Sequence, residues 1–110
     1  MDEKKYRVFI EFCKKDKMIY ISHLDLMRLF ARIFRKINLP LAYSKGYNPK
    51  PKLSFTRALA LGVKSDRETM YIYLSKKVNL KQTRHRLNIL LPKGITVNKI
   101  MYSDKESNKK

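Results

Sequence analysis

TMYIYL, residues 69–74, alternates two kinds of side chain. On an extended chain Met70, Ile72 and Leu74 point one way, Tyr71 and Tyr73 the other. The first face is aliphatic and belongs on a core. The second is aromatic with polar tips and suits a surface that something else covers. What stands on either side of this strand decides what packs on which face.

Upstream, YRVFIEFC (6–13) alternates too, with Tyr6, Val8, Ile10 and Phe12 on one face and Phe9 on the other. The run KKDK turns the chain, and MIYI (18–21) reads as a short continuation or hairpin partner. Ser22 is placed to cap a helix, with Asp25 as a short capping-box partner. That helix should run to about Asn38 and stop before Pro40. Leu26, Met27, Phe30, Ile33, Phe34 and Ile37 fall on one side of it at helical spacing, and Arg28, Arg32, Arg35 and Lys36 on the opposite side. Residues 41–44 and 53–57 read as two short strands around a Gly-Pro loop. Downstream, Asn79 can cap a second helix to about Leu91, ended by Pro92 and Gly94. Residues 95–102 supply a last strand, and 104–110 a disordered basic tail.

The order is strand, helix, strands, helix, strand, within one domain spanning residues 1–103. It predicts an α+β, ferredoxin-like fold, an antiparallel sheet with both helices on one face. A winged helix fits less well, because strands enclose the helices in chain order. Tyr71 and Tyr73 then sit on a central strand of the open face, with Phe9 beside them. Two readings follow: the aromatics stack RNA bases, as on many sheets of this topology, or they pack under the long middle loop.

Charge narrows the partner. The 110 residues carry 26 Lys and Arg against nine Asp and Glu, a net charge of +17. Residues 26–65 hold no acid and nine bases, and residues 69–103 no acid and seven bases. An ordinary solvated face interleaves both signs, whereas self-repulsion of this size suits a polyanion partner, RNA first. An anionic membrane surface or an acidic protein is the alternative, and no strongly amphipathic helix favours the membrane. The single cysteine, Cys13, excludes an internal disulfide, a thiolate zinc site and an iron–sulfur cluster. No apolar run is long enough to span a bilayer, and MDEKKYR lacks the apolar core of a signal peptide. The expectation is a cytoplasmic protein with no cofactor and no metal.

The stretch SKGYNPKPKLSF (44–55) allows two readings. Gly46 permits positive φ, while Pro49 and Pro51 hold their predecessors extended and remove two backbone donors. The loop then displays Lys45, Lys50 and Lys52, with Tyr47 free to stack on a base and Asn48 beside it. Alternatively it is a stiff turn whose Tyr47 caps the open sheet. Arg57 just beyond, and Arg84 and Arg86 around His85 on the second helix, extend the basic surface. His23, in the first turn of the first helix, admits two roles. It hydrogen-bonds backbone at the capped turn, or it works with Tyr20, Tyr47 and a loop lysine as a metal-independent RNA-cleaving site. The first is the simpler. No carboxylate pair or His/Asp/Glu cluster has metal-ligand spacing.

Residues 22–65 closely resemble the signature of a radical-SAM-associated domain family of unknown function. The matching elements are Ser-His-Leu-Asp at 22–25 and Tyr-Ser-x-Gly-x-Asn-Pro-x-Pro-x-Leu-Ser-Phe at 43–55. Ala58-Leu59, Leu61-Gly62 and the late Leu91-Pro92-x-Gly94 follow in order. Such proteins are found fused to, or encoded beside, radical SAM proteins and sometimes ribonuclease E/G-type proteins, so the resemblance implies a partner of that kind. It also implies about twice this length, a second half that self-association as a homodimer would replace. This chain lacks the radical SAM cysteine triplet, so any such chemistry would belong to the partner.

Overall fold

β1 (Tyr6–Lys14) buries every second side chain, Val8, Ile10, Phe12 and Lys14. β3 (Ser65–Leu74) does the same with Glu68, Met70, Ile72 and Leu74. This period of two marks strands with one face on a core. The computed structural model describes residues 5–47, 50–58 and 60–103. With β2 (Leu53–Phe55) and β4 (Ile95–Tyr102), these strands form one sheet in the order β2-β3-β1-β4. All three pairings are antiparallel.

α1 (His23–Lys36) joins β1 to β2, and α2 (Leu80–Leu90) joins β3 to β4. Each crossover skips one strand, which gives the ferredoxin-like α+β sandwich. Leu26, Leu29, Phe30, Ile33 and Phe34 of α1 and Leu87 of α2 share one core with the inward residues of the strands. Both helices therefore cover the same face. Phe12 meets Phe30 edge-on at 5.1 Å, and Phe30 stacks on Phe34 at 5.7 Å, so the aromatic centre of the core ties α1 to β1.

Local chemistry fixes the ends of the helices. Ser22 Oγ accepts from the Asp25 N–H at 3.0 Å, and Asn79 Oδ1 accepts from the Gln82 N–H at 2.9 Å. Asn38 takes φ 57°, and Leu39 then donates to the Phe34 carbonyl at 3.0 Å, which closes α1. Gly94 has φ 104° and accepts at its carbonyl from the Lys15 N–H at 2.9 Å. A Cβ there would stand 2.5 Å from the Lys15 carbonyl oxygen, so only glycine fits. The edge of β4 is closed at Val97, whose N–H donates to Asn88 Oδ1 at 2.8 Å and whose carbonyl accepts from Asn88 Nδ2 at 3.0 Å.

Four expectations change. Residues 18–21 do not form a strand; Asp16–Tyr20 is a 3₁₀ helix. Asp16 takes φ 57°, which turns the chain out of line with β1 before it can pair. Residues 41–44 make only isolated bridges, Leu41 to Leu74 and Tyr43 to Pro51, and β2 ends at Phe55. Prolines at 40 and 51 remove the donors that a longer ladder needs. On α1 Leu29 is fully in the core whereas Met27 is half-buried, because the stripe centres nearer Phe30 and Ile33 than its flank. β3 begins at Ser65 rather than Thr69: its polar first half pairs with β1 through backbone bonds that side-chain hydropathy does not report. The tail expected at 104–110 lies outside the described residues.

Candidate nucleic-acid interface

Helices on one face leave the other side of the sheet without a covering layer among the described elements. Cross-strand pairing places Ser54, Tyr71, Phe9 and Met101 in one row across it. The next row holds Tyr73 opposite Arg7. Phe9 and Tyr71 meet edge-on at 5.6 Å, and the Arg7 guanidinium lies 4.4 Å from the centre of the Tyr71 ring. Lys52 stands 6.0 Å from the Tyr73 ring. The rings are half-buried; Tyr71 meets Phe9 and Arg7, while Tyr73 lies beside Lys52 at the base of the middle loop. The acid on this face, Glu11, is engaged by Arg67 at 3.5 Å. Flat aromatic surface with cations beside it can stack bases and neutralise phosphates.

The Gly-Pro stretch projects as a finger beside β2. Ser44 N–H donates to the Lys50 carbonyl at 2.8 Å, Lys50 N–H returns to Ser44 Oγ at 3.1 Å, and Lys52 N–H reaches the Ala42 carbonyl at 2.9 Å. Tyr47 is 97% exposed, which decides one question: it is not a lid on the sheet. Lys45, Lys50 and Lys52 are exposed with it, and Asn48 lies outside the described residues. At the base of the finger, Ser44, Lys50, Pro51, Lys52, Ser54 and Tyr73 line a groove of about 250 Å³. The finger and the open sheet face are thus continuous.

The other basic residues lie elsewhere. Arg28, Arg32, Arg35 and Lys36 are exposed on α1, on the opposite side of the sheet from Tyr71. Arg28 is 3.6 Å from Asp25, an exposed pair worth little. Arg86 is exposed on α2 and Arg84 half-buried. Arg57 holds the buried carboxylate of Glu68 at 3.5 Å and so has a structural task. The predicted residues therefore divide into two surfaces: sheet and finger on one, helix faces on the other.

His23 is edge-on to Phe55 at 4.8 Å and, among the described residues, makes no hydrogen bond. The backbone-bonded role expected for it is not observed, since Ser22 does the capping. Nor does a hydrogen bond join it to Tyr20, Tyr47 or a lysine. Among the described residues no cluster of His, Cys, Asp or Glu could hold a metal, and no helix is long and apolar enough to cross a membrane.

Two groups were missed in the sequence. Arg7 stacks on Tyr71, and its place next to Phe9 in a period-two strand was the available signal. Lys14, fully buried at the end of β1, donates from Nζ to the Ala60 carbonyl at 2.5 Å. Its sign was the inward parity it shares with Phe12.

Comparison with known families adds one finding. Residues 7–110 match a family described as an uncharacterized protein conserved in bacteria, DUF2344. The chain belongs to this family. No curated protein and no solved structure is found to match it. The DUF2344 match spans nearly the whole chain, so the sheet face, the finger and the helix stripe all lie inside the family's region.

Proposed function

We propose that this DUF2344 protein is a non-catalytic RNA-binding protein that holds an unpaired stretch of a structured RNA, of the ribosomal or transfer RNA class, across its open sheet face. One observation carries the reading: Phe9, Tyr71 and Tyr73 sit together on the two central strands, on the face away from the helices, with Arg7 and Lys52 against the rings. Bases stack on such rings whatever their sequence, and lysine and arginine neutralise the phosphates between them. The finger, with Lys45, Tyr47 and Lys50, extends the track beyond β2. The α1 stripe attracts flanking duplex from the far side through charge alone.

The test is a titration of a labelled unstructured oligoribonucleotide and a hairpin RNA at several salt concentrations. Tyr71→Ala and Phe9→Ala are expected to cost about 1–3 kcal/mol of binding each, with a steep salt dependence retained. Wild-type affinity in both variants sinks the sheet-face reading. RNA cut in the presence of chelator, and left whole by His23→Ala, would overturn the non-catalytic part.

A second reading is an accessory module serving a radical SAM or ribonuclease E/G-type partner, the association implied by the resemblance of residues 22–65. A group of exposed apolar residues that takes no part in the aromatic face supports it. A complex with such a partner that survives high salt and nuclease treatment would favour it over RNA binding.

A further inference from the structure

Nine large apolar side chains are exposed among the described residues, and four of them stand on two segments joined by the Gly62–Ile19 backbone bond, Tyr20 and Leu24 on or just after one, Leu61 and Val63 on the other. Each of the four is between 53% and 69% exposed. Leu61 and Val63 flank Gly62, whose N–H donates to the Ile19 carbonyl at 2.6 Å and whose backbone lies against the Tyr20 ring. Leu24 follows in the first turn of α1.

These side chains are not waiting to turn inward. Lys14 Nζ grips the Ala60 carbonyl from beneath, and Gly62 is tied to Ile19, so the backbone between them is held with Leu61 and Val63 outward. Next to the cluster, Lys17, Ile19, Tyr20, Lys93 and Asp16 line a groove of about 600 Å³, of a size that takes anchoring side chains. Two lysines against one aspartate make its rim positive, and Lys64 follows Val63 directly.

We propose that this surface docks an acidic segment of a partner protein that carries aliphatic or aromatic anchors. Apolar patches rimmed by polar residues mark such contacts. Tyr20 is the one ring among the four, and aliphatic Leu61, Val63 and Leu24 add no second plane, so a run of stacked bases fits this surface less well than apolar anchors. A second copy of a chain with net charge +17 would bring like charge against the lysine rim. An acidic partner meets both the apolar centre and the rim. The surface shares no residue with the aromatic sheet face, and it gives the accessory reading a place to act.

The experiment uses the full chain and two labelled helical peptides of about 15 residues with equal numbers of glutamates. One carries Leu and Phe at i, i+3, i+4 and i+7, the other Ser and Gln at those positions. In about 0.15 M salt the first is expected to bind and to shift the amide resonances of residues 20, 24, 61 and 63. Leu61→Glu with Val63→Glu should weaken it about tenfold or more. Leu24→Glu, on an exposed helical position, should act in the same direction and guards against a loop variant that misfolds. RNA affinity should be untouched, which separates this proposal from the sheet-face reading. Equal binding of both peptides, unchanged affinity in the glutamate variants, or shifts confined to the sheet face or to α1 beyond its first turn would overturn it. So would sedimentation showing that the same substitutions abolish a homodimer, since the occupant would then be a second copy.

Discussion

Lys14 ends β1 with a fully buried side chain, and its company explains why an ammonium is there. Glu68 pairs with Phe12 and Lys14 with Ser65, with a register shift between them, and both side chains are buried. Arg57 reaches one carboxylate oxygen from the surface, while Glu68 Oε1 is buried with no hydrogen-bond partner among the described residues. A buried carboxylate is tolerable when cations surround it. Lys14 instead gives its ammonium to the carbonyl of Ala60. Lys14→Met should lower stability by about 1–3 kcal/mol through the orphaned carbonyl. It should also speed exchange of the Gly62 amide, which depends on the same segment. Urea melts and amide exchange read the two effects. Unchanged exchange at Gly62 would mean that Lys14 does not hold the segment.

At the scale of elements, α1 shows what a sequence discloses. Its cap at Ser22 and most of its buried stripe were legible, since both follow from spacing on one helix. β3 was half legible. Met70, Ile72 and Leu74 announced the core, but residues 65–68 are polar and gave no hydropathic signal for their pairing with β1. The 3₁₀ turn at Asp16–Tyr20 was hidden, because a positive φ at an aspartate leaves no mark in composition. The placing of Phe9, Tyr71 and Tyr73 on the open face was legible from strand parity and element order, whereas the contacts of Arg7 and Lys52 with the rings were not. Arg32 on α1 and Tyr71 on the open face lie on opposite sides of the sheet, because α1 packs on the core face and Tyr71 has the outward parity. That separation has a consequence for binding. Arg32→Glu with Arg35→Glu should flatten the salt slope of RNA affinity while leaving the cost of Tyr71→Ala unchanged, since the sites share no partner. Coupling between the two in a mutant cycle would put them on one surface. Tyr47→Ala should leave the melting temperature where it is, because a ring so exposed buries almost nothing. A core-like loss of stability would mean that the finger folds down in solution.

At the scale of the whole molecule, an antiparallel sheet with one open face must also protect its edges. β2 is an edge of three residues beside a projecting finger, too short to template a neighbour. β4 is the long edge, and Asn88 closes its middle by bonding both the N–H and the carbonyl of Val97. The net charge of +17 adds long-range repulsion between copies, screened only by salt or by a bound polyanion. These features together predict a monomer of 13.1 kDa in nucleic-acid-free buffer at high salt, where repulsion no longer masks attraction. Light scattering that returns twice this mass would instead make a second copy the cover for the sheet or its edge. Asn88→Ala tests the mechanism. It removes two hydrogen bonds and should cost about 1–3 kcal/mol of stability. It also bares the Val97 backbone, so the variant should self-associate as salt is raised while the native chain does not. A variant that is destabilised yet still monomeric at high salt would show that charge, rather than the closed edge, keeps the copies apart.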